Sequence, residues 1–361
     1  MFTRFFDALR GWPDDRPAHA GDAARDAARA ATWTPVARLA AVPFVSAGAA
    51  ARDPILPHPS AMLEMWRQDV ARAAIALHER HRTHADARTR THAERLLLKL
   101  ALDHDMVVRQ PPPAAQEALA VAGAPDCDLP RLVQVIERDP TLTRGLMRHA
   151  SSATFAAAAA PASIDDAARR LGARGVQIAV LAGMAEALLA RGCGPYSPRA
   201  AQTWAAMVRV GPLARALARA VGVPAHEAFL LGLLHDIGSL VLFDLLGALR
   251  AELGHAADPP DAFVDDALRE LHEPLGGLTL LRWGVDPRAA WAVAHHHRRR
   301  PPAEPDRRSE VIFLAEHLDA ALAAREAPHL ERWYADGQLT APRDRVAAAV
   351  ARARVTAPLA H

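Results

Sequence analysis

Between Ala114 and Leu322 the chain is a train of amphipathic segments, with apolar residues at helical spacing, separated by proline and glycine. The breaks fall at Gly123-Ala124-Pro125, Pro161, Gly192 to Pro198, Gly222-Val223-Pro224, Pro259-Pro260 and Pro301-Pro302, and most of the connections are short. A chain punctuated in this way buries its apolar stripes by packing helix on helix. Composition points the same way, since alanine recurs in almost every segment and only 5% of residues are aromatic. No segment sustains a period of two, no strand run alternates with a helix, and there is no glycine-rich phosphate loop. Those absences argue against all-β, Rossmann and P-loop architectures. The expected class is all-α, a multi-helical bundle.

The 361 residues suffice for two domains, or for one large domain with appendages. Gln110-Pro111-Pro112-Pro113 is the natural boundary. Residues 1–104 therefore read as an N-terminal helical extension with a flexible linker, 105–325 as the main domain, and 326–361 as a helical tail. Within the extension, Phe2, Phe5, Phe6, Leu9 and Trp12 share one helix face, and residues Gly21 to Pro59 show little periodicity. Met62, Leu63, Trp66, Val70, Ala74 and Leu77 predict a helix from Ser60, and Leu96, Leu97, Leu100 and Leu102 predict another from Thr91 to about Asp103. His78, His81 and His84 walk around the first helix and are expected on a solvated face. In the tail a helix is expected from Pro342 to about Val355.

A net charge of +2 gives no strong nucleic-acid signal. Lys99 is the only lysine among 43 basic residues, a bias better explained by a GC-rich genome than by phosphate binding. Cys127 and Cys193 stand far apart and outside any Cys-x-x-Cys pattern, so neither a disulfide framework nor a thiolate metal site is indicated. The longest uncharged stretches, Leu39 to Ala51 and Ala150 to Ile164, fall short of the roughly 18 apolar residues of a membrane span. No secretory leader is evident, and a cytoplasmic protein is expected.

The most informative string is Leu230 to Leu242, an apolar run interrupted by His235-Asp236. A carboxylate in such a run is expected to be buried and must find a cation, a metal or several donors. Adjacent residues on a helix diverge by about 100°, so His235 and Asp236 either straddle one metal or serve two separate partners. Downstream candidates are His272, then His295, His296 and His297, then Glu316. Imidazoles and carboxylates together suit Mn, Fe, Zn or Mg.

Further landmarks accompany this run in order. Glu137-Arg138-Asp139-Pro140-Thr141-Leu142, Ala150-Ser151-Ser152-Ala153 and Ile164-Asp165-Asp166-Ala167 through Leu171-Gly172 precede it. Glu270-Leu271-His272, Gly276, Leu281, Trp283-Gly284-Val285 and Ala292-Val293 with His296-His297 follow it. The stretch from about Val107 to Leu322 thereby resembles an HDOD domain, an HD-related output domain of bacterial signalling proteins and a relative of the HD metal phosphohydrolases. The resemblance implies an HD-like helical bundle, with His235, Asp236, His272, His296, His297 and Glu316 as a degenerate metal site.

The departures bear on function. The resemblance places a further histidine of the hydrolases where Ala206 stands, and a lysine where Ser239 stands. Glu316 occupies the place of their last aspartate, and Arg298-Arg299-Arg300-Pro301-Pro302 follows the paired histidines in place of a Gly-Tyr-Pro signature. The arginines are expected to form a solvated loop, with phosphate contact as the sharper alternative. Trp204, Trp283 and Trp291 are expected in the core. The resulting expectation is a non-catalytic regulatory module with protein partners in a signalling pathway, no catalytic residues and no required cofactor. The alternatives are a metal-dependent phosphodiesterase or phosphohydrolase acting on a nucleotide, and a nucleotide-binding sensor that keeps the pocket without the chemistry.

Overall fold

The computed structural model describes residues 56–102, 108, 110–124, 126–151, 161–190, 193–254, 258–297 and 306–356. The expected helix at Phe2 to Trp12 and the Arg298 to Arg300 run lie outside these residues. Among the described residues every regular element is helical. The order is α1 (Pro59–His81), α2 (Ala87–Leu102), α3 (Pro113–Gly123), α4 (Leu129–Glu137), α5 (Pro140–Ala150), α6 (Ile164–Ala190), a 3-10 turn (Gly194–Tyr196), α7 (Ser197–Val221), α8 (Ala225–Leu234), α9 (Ile237–Leu253), α10 (Asp261–Arg282), α11 (Pro287–Ala294), α12 (Arg307–Ala324), α13 (Leu330–Ala335) and α14 (Arg343–Thr356).

Local chemistry sets many of these boundaries. Asp128, Asp139, Asp286 and Asp306 each accept a backbone N–H from the first turn of the helix they precede. In Asp139-Pro140 and Asp286-Pro287 the following proline adds a fixed φ suited to the first helical position. Gly222, in the left-handed region at φ 88°, ends α7. Gly172, at φ 66° and ψ 171°, kinks α6.

α1 and α2 pack together, and α1 lies along α10, so the helices on either side of the proline-rich break share one core. Met62, Trp66, Val70, Ala74 and Leu77 are buried as their spacing predicts. Of the three histidines expected on a solvated face, one departs from expectation. His81 is buried, its Nε2 lying 3.1 Å from Asp266 Oδ2 and its ring edge-on to Phe263, while His84 is exposed. α10 covers the flank of α1 that the sequence left to solvent.

Two stretches, Ile164–Ala190 and Ala225–Leu253, are long and apolar enough to cross a membrane by length and composition. In their most apolar windows 56% and 83% of residues, respectively, are buried inside the protein.

The tail is tied down by one buried carboxylate. Glu310 on α12 accepts the N–H groups of Thr340 and Ala341 at 2.7 Å each and the Thr340 hydroxyl at 2.8 Å, while Arg307 lies 3.0 Å away. α14 then packs on α7.

Candidate metal centre

The apolar run 230–242 is not one helix. α8 ends at Leu234, His235 and Asp236 form a two-residue break, and α9 starts at Ile237. Close backbone approaches hold the break in place. A Cβ on Gly238 would lie 1.9 Å from the His272 carbonyl oxygen, so α9 meets α10 there with no room for a side chain. A Cβ on Gly232 would lie 2.8 Å from the Val210 carbonyl oxygen, which seats α8 on α7 just as closely. The 100° divergence expected of adjacent helical residues therefore does not apply. His235 Nε2 comes within 3.8 Å of Asp236 Oδ2, and His272 Nε2 within 3.9 Å of Asp236 Oδ1.

Three imidazoles are oriented by the backbone. Nδ1 of His235 is 2.8 Å from the Gly232 carbonyl, that of His272 2.6 Å from Leu268, and that of His296 2.7 Å from Val293. A carbonyl can only accept, so each Nδ1 carries a proton, and in the neutral ring the lone pair falls on Nε2. Nε2 of His272 and of His296 are buried without a hydrogen-bond partner, as is Oε2 of Glu316. One ligand atom from each of His272, His296 and His297 lies within 4.8 Å of the other two. His297 Nδ1 is 3.6 Å from Glu316 Oε2, which adds α12 to the cluster.

Burial separates a floor from a rim. The side chains of His235, His272 and His296 are 2%, 6% and 0% exposed, whereas those of Asp236, His297 and Glu316 keep 25%, 28% and 28%. The sequence reading expected Asp236 to be buried. It is part-buried, with a quarter of its side chain reaching the open side of the cluster at the break between α8 and α9.

The electrostatics divide the two acids. Burial acts to raise the Asp236 pKa, but the neighbouring His235, His272 and His297 outweigh it and hold the carboxyl below its ordinary value. Burial pushes Glu316 up to about 7. His296 is pushed well below the usual histidine value, first by burial and then by the imidazoles around it, so it is neutral at pH 7. A neutral imidazole with a free Nε2 is the form a metal requires.

All six residues singled out in the sequence are thus brought together. His295 is not among them, since it is exposed and its ring stacks on Trp291 at 4.3 Å. Trp291 is correspondingly only part-buried, whereas Trp204 and Trp283 are core residues as expected. Glu273 was missed. It accepts the His297 N–H at 3.1 Å and lies 4.0 Å from His296 Nδ1, so it fixes the backbone between the paired histidines. The available signal was a carboxylate directly following His272.

The fold and this cluster define an HD-type helical domain. The chain belongs to the HDOD domain family, whose model matches residues 108–299, more than half of the chain. An uncharacterized protein of Treponema pallidum (strain Nichols) is 26% identical over 191 residues, which make up 50% of this chain and 36% of that relative's own length. Among solved structures, a candidate metal-dependent phosphohydrolase of Shewanella amazonensis SB2B superposes with a TM-score of 0.52 at 18% identity, covering 74% of this chain and 96% of that one. A candidate signal transduction protein of Marinobacter aquaeolei VT8 superposes with a TM-score of 0.51 at 20% identity, covering 85% and 68%. At these identities the likeness is one of fold.

Proposed function

We propose that the chain is a regulatory module that signals through protein contacts and keeps its HD-type cluster as a divalent-metal site without phosphohydrolase turnover. The observation that carries the metal is the pair of buried, unpartnered Nε2 atoms on His272 and His296, each on a ring already oriented by a backbone carbonyl. Leaving such atoms unpaired is costly, and an ion satisfies both at once. His235, Asp236, His272, His296, His297 and Glu316 would hold it. A bound divalent ion would supply Lewis acidity and a water of lowered pKa.

Loss of turnover is supported by what stands beside the cluster. Ser239, in the place where the family resemblance puts a lysine, is buried and its hydroxyl is 3.3 Å from Asp236 Oδ1. It offers no cation to a phosphoryl oxygen. Ala206, in the place of a further imidazole, removes one ligand. The phosphohydrolase reading draws on one specific observation, the part-exposed rim of Asp236, His297 and Glu316, the side from which water would reach the cluster.

Metal analysis of the purified protein, followed by Mn titration, tests the site. Stoichiometric metal is expected, weakened at least tenfold in both His272→Ala and His296→Ala. Hydrolysis of a cyclic dinucleotide or bis(p-nitrophenyl) phosphate with Mn, Fe or Mg, lost in both His235→Ala and Asp236→Ala while they stay folded, would replace this proposal with the hydrolase reading.

A further inference from the structure

Away from the metal centre, a cavity of about 170 Å³ opens between α5, α6, α9 and α10, beside the start of α3. Leu146, Met184, Leu188, Val241 and Trp283 form much of its wall. Its polar groups are few. Thr279 lies on the wall, its hydroxyl donating to the Leu275 carbonyl at 2.6 Å. Gln110, Asp139 and Thr141 also contribute to the lining, and the Asp139 carboxylate already accepts the Thr141 and Leu142 N–H groups at 2.7 and 3.2 Å. Among the described residues no arginine, lysine or histidine lines it.

Two glycines in that wall have no structural explanation of their own. Gly145 sits inside α5 and Gly183 inside α6, and neither has a positive φ. Glycine is the poorest helix former after proline, so a glycine inside a helix calls for a packing or functional reason. Gly232, Gly238 and Gly277 are of that kind, since a Cβ there would meet neighbouring atoms at 2.8, 1.9 and 2.7 Å. At Gly145 and Gly183 a Cβ would meet nothing within 4 Å. What the two missing side chains leave open is the cavity itself.

We propose that this cavity is a binding site for a small, uncharged, largely apolar molecule of one or two rings, kept open by Gly145 and Gly183. The volume matches the class, because an apolar protein cavity of about 150 Å³ stays dry and takes up benzene. Among the described lining residues there is no cation to pair with a carboxylate and one acid, Asp139, to repel it, while the aromatic face of Trp283 and the soft sulfur of Met184 favour a ring. The site does not depend on the metal cluster, so the two proposals stand or fall separately.

The test uses the full chain with toluene, indole and benzoate as probes, followed by saturation-transfer NMR and by the shift in Tm. Toluene or indole is expected to bind saturably and raise Tm, with benzoate at least tenfold weaker. Gly145→Ala and Gly183→Ala are expected to keep or raise the Tm of the free protein, as alanine improves the helix, while weakening the probe at least tenfold. No saturable binding by the wild type, equal binding by both glycine variants, or benzoate binding as well as toluene would each overturn the proposal. So would a fall in the free protein's Tm in both variants, which would show that the glycines serve packing instead.

Discussion

Replacing Gly238 by alanine tests how the His-Asp pair is delivered to the cluster. The added Cβ would lie 1.9 Å from the His272 carbonyl oxygen, 2.6 Å from the Gly276 nitrogen and 2.8 Å from the His272 carbonyl carbon. All three are backbone atoms, so no rotamer change relieves the clash. α9 and α10 must part by on the order of 1 Å, which places the cost at the upper end of the 1–3 kcal/mol typical of overpacking. Alanine returns at most about 1 kcal/mol of helix propensity, leaving a net loss of about 2–3 kcal/mol. Urea denaturation followed by circular dichroism measures it. Gly276→Ala is the internal comparison, because its Cβ would crowd Val293 Cγ1 at 3.0 Å and meet the Gly238 nitrogen at an ordinary 3.7 Å, and should cost less. Parting the helices also draws Asp236 from His272, so Gly238→Ala should weaken Mn binding more than Gly276→Ala does. A change within about 0.5 kcal/mol, the range of a surface substitution, or a larger loss for Gly276→Ala, would refute the argument that α9 and α10 are locked together at this point.

Other expectations follow from particular side chains. Glu310→Ala leaves the Thr340 and Ala341 N–H groups without their buried acceptor and should cost about 1–3 kcal/mol, with residues 330–356 becoming the first segment cut in limited proteolysis. Glu186 is buried, and although Arg148 lies 2.8 Å away, burial outweighs that cation and raises its pKa from 4.5 to about 7. A raised folded-state pKa means that this group's stabilisation is complete below about pH 4.5 and lost as pH rises toward 7. Glu186→Gln should therefore remove a downward slope of stability between those values, and an unchanged slope in urea titrations would contradict the assignment. Ala206→His should raise Mn affinity without altering the helical circular dichroism signal, and a variant that binds Mn no better than the wild type would show that position 206 does not face the cluster.

Much of the fold was legible because helix boundaries are written in local chemistry. The glycine and proline breaks at 161, 222–224 and 259–260 fall between observed helices, Gly123 is the last residue of α3, and the apolar stripe from Met62 to Leu77 names the buried face of α1. What could not be read locally depends on partners distant in sequence. His81 was assigned to solvent because nothing near it in sequence reveals that Asp266 and Phe263 on α10 will cover it. The break at His235-Asp236 was hidden for the same reason, since the run is apolar throughout and the contact that interrupts it, Gly238 against His272, spans two helices. The six candidate ligands stand out as imidazoles and carboxylates that also fall in a family's order, whereas Glu273, which acts through a backbone N–H, is signalled only by its place directly after His272.

The imidazole that the family resemblance places at position 206 would bear on one side of the site only. The floor, His235, His272 and His296, is held by hydrogen bonds to the Gly232, Leu268 and Val293 carbonyls, and none of these anchors involves α7. Ala206 sits on α7 one turn before Arg209, whose guanidinium is 2.9 Å from Asp319, and Asp319 lies one turn beyond Glu316 on α12. The α7 face that carries Ala206 therefore looks onto the helix that supplies the rim acid. Loss of a ligand there leaves the buried imidazoles oriented and unpaired while thinning the coordination at the open edge, where water and substrate would enter. On the proposed reading such a cluster would lose the chemistry of its rim before the ion-binding character of its floor, so metal binding and hydrolysis are to be measured separately.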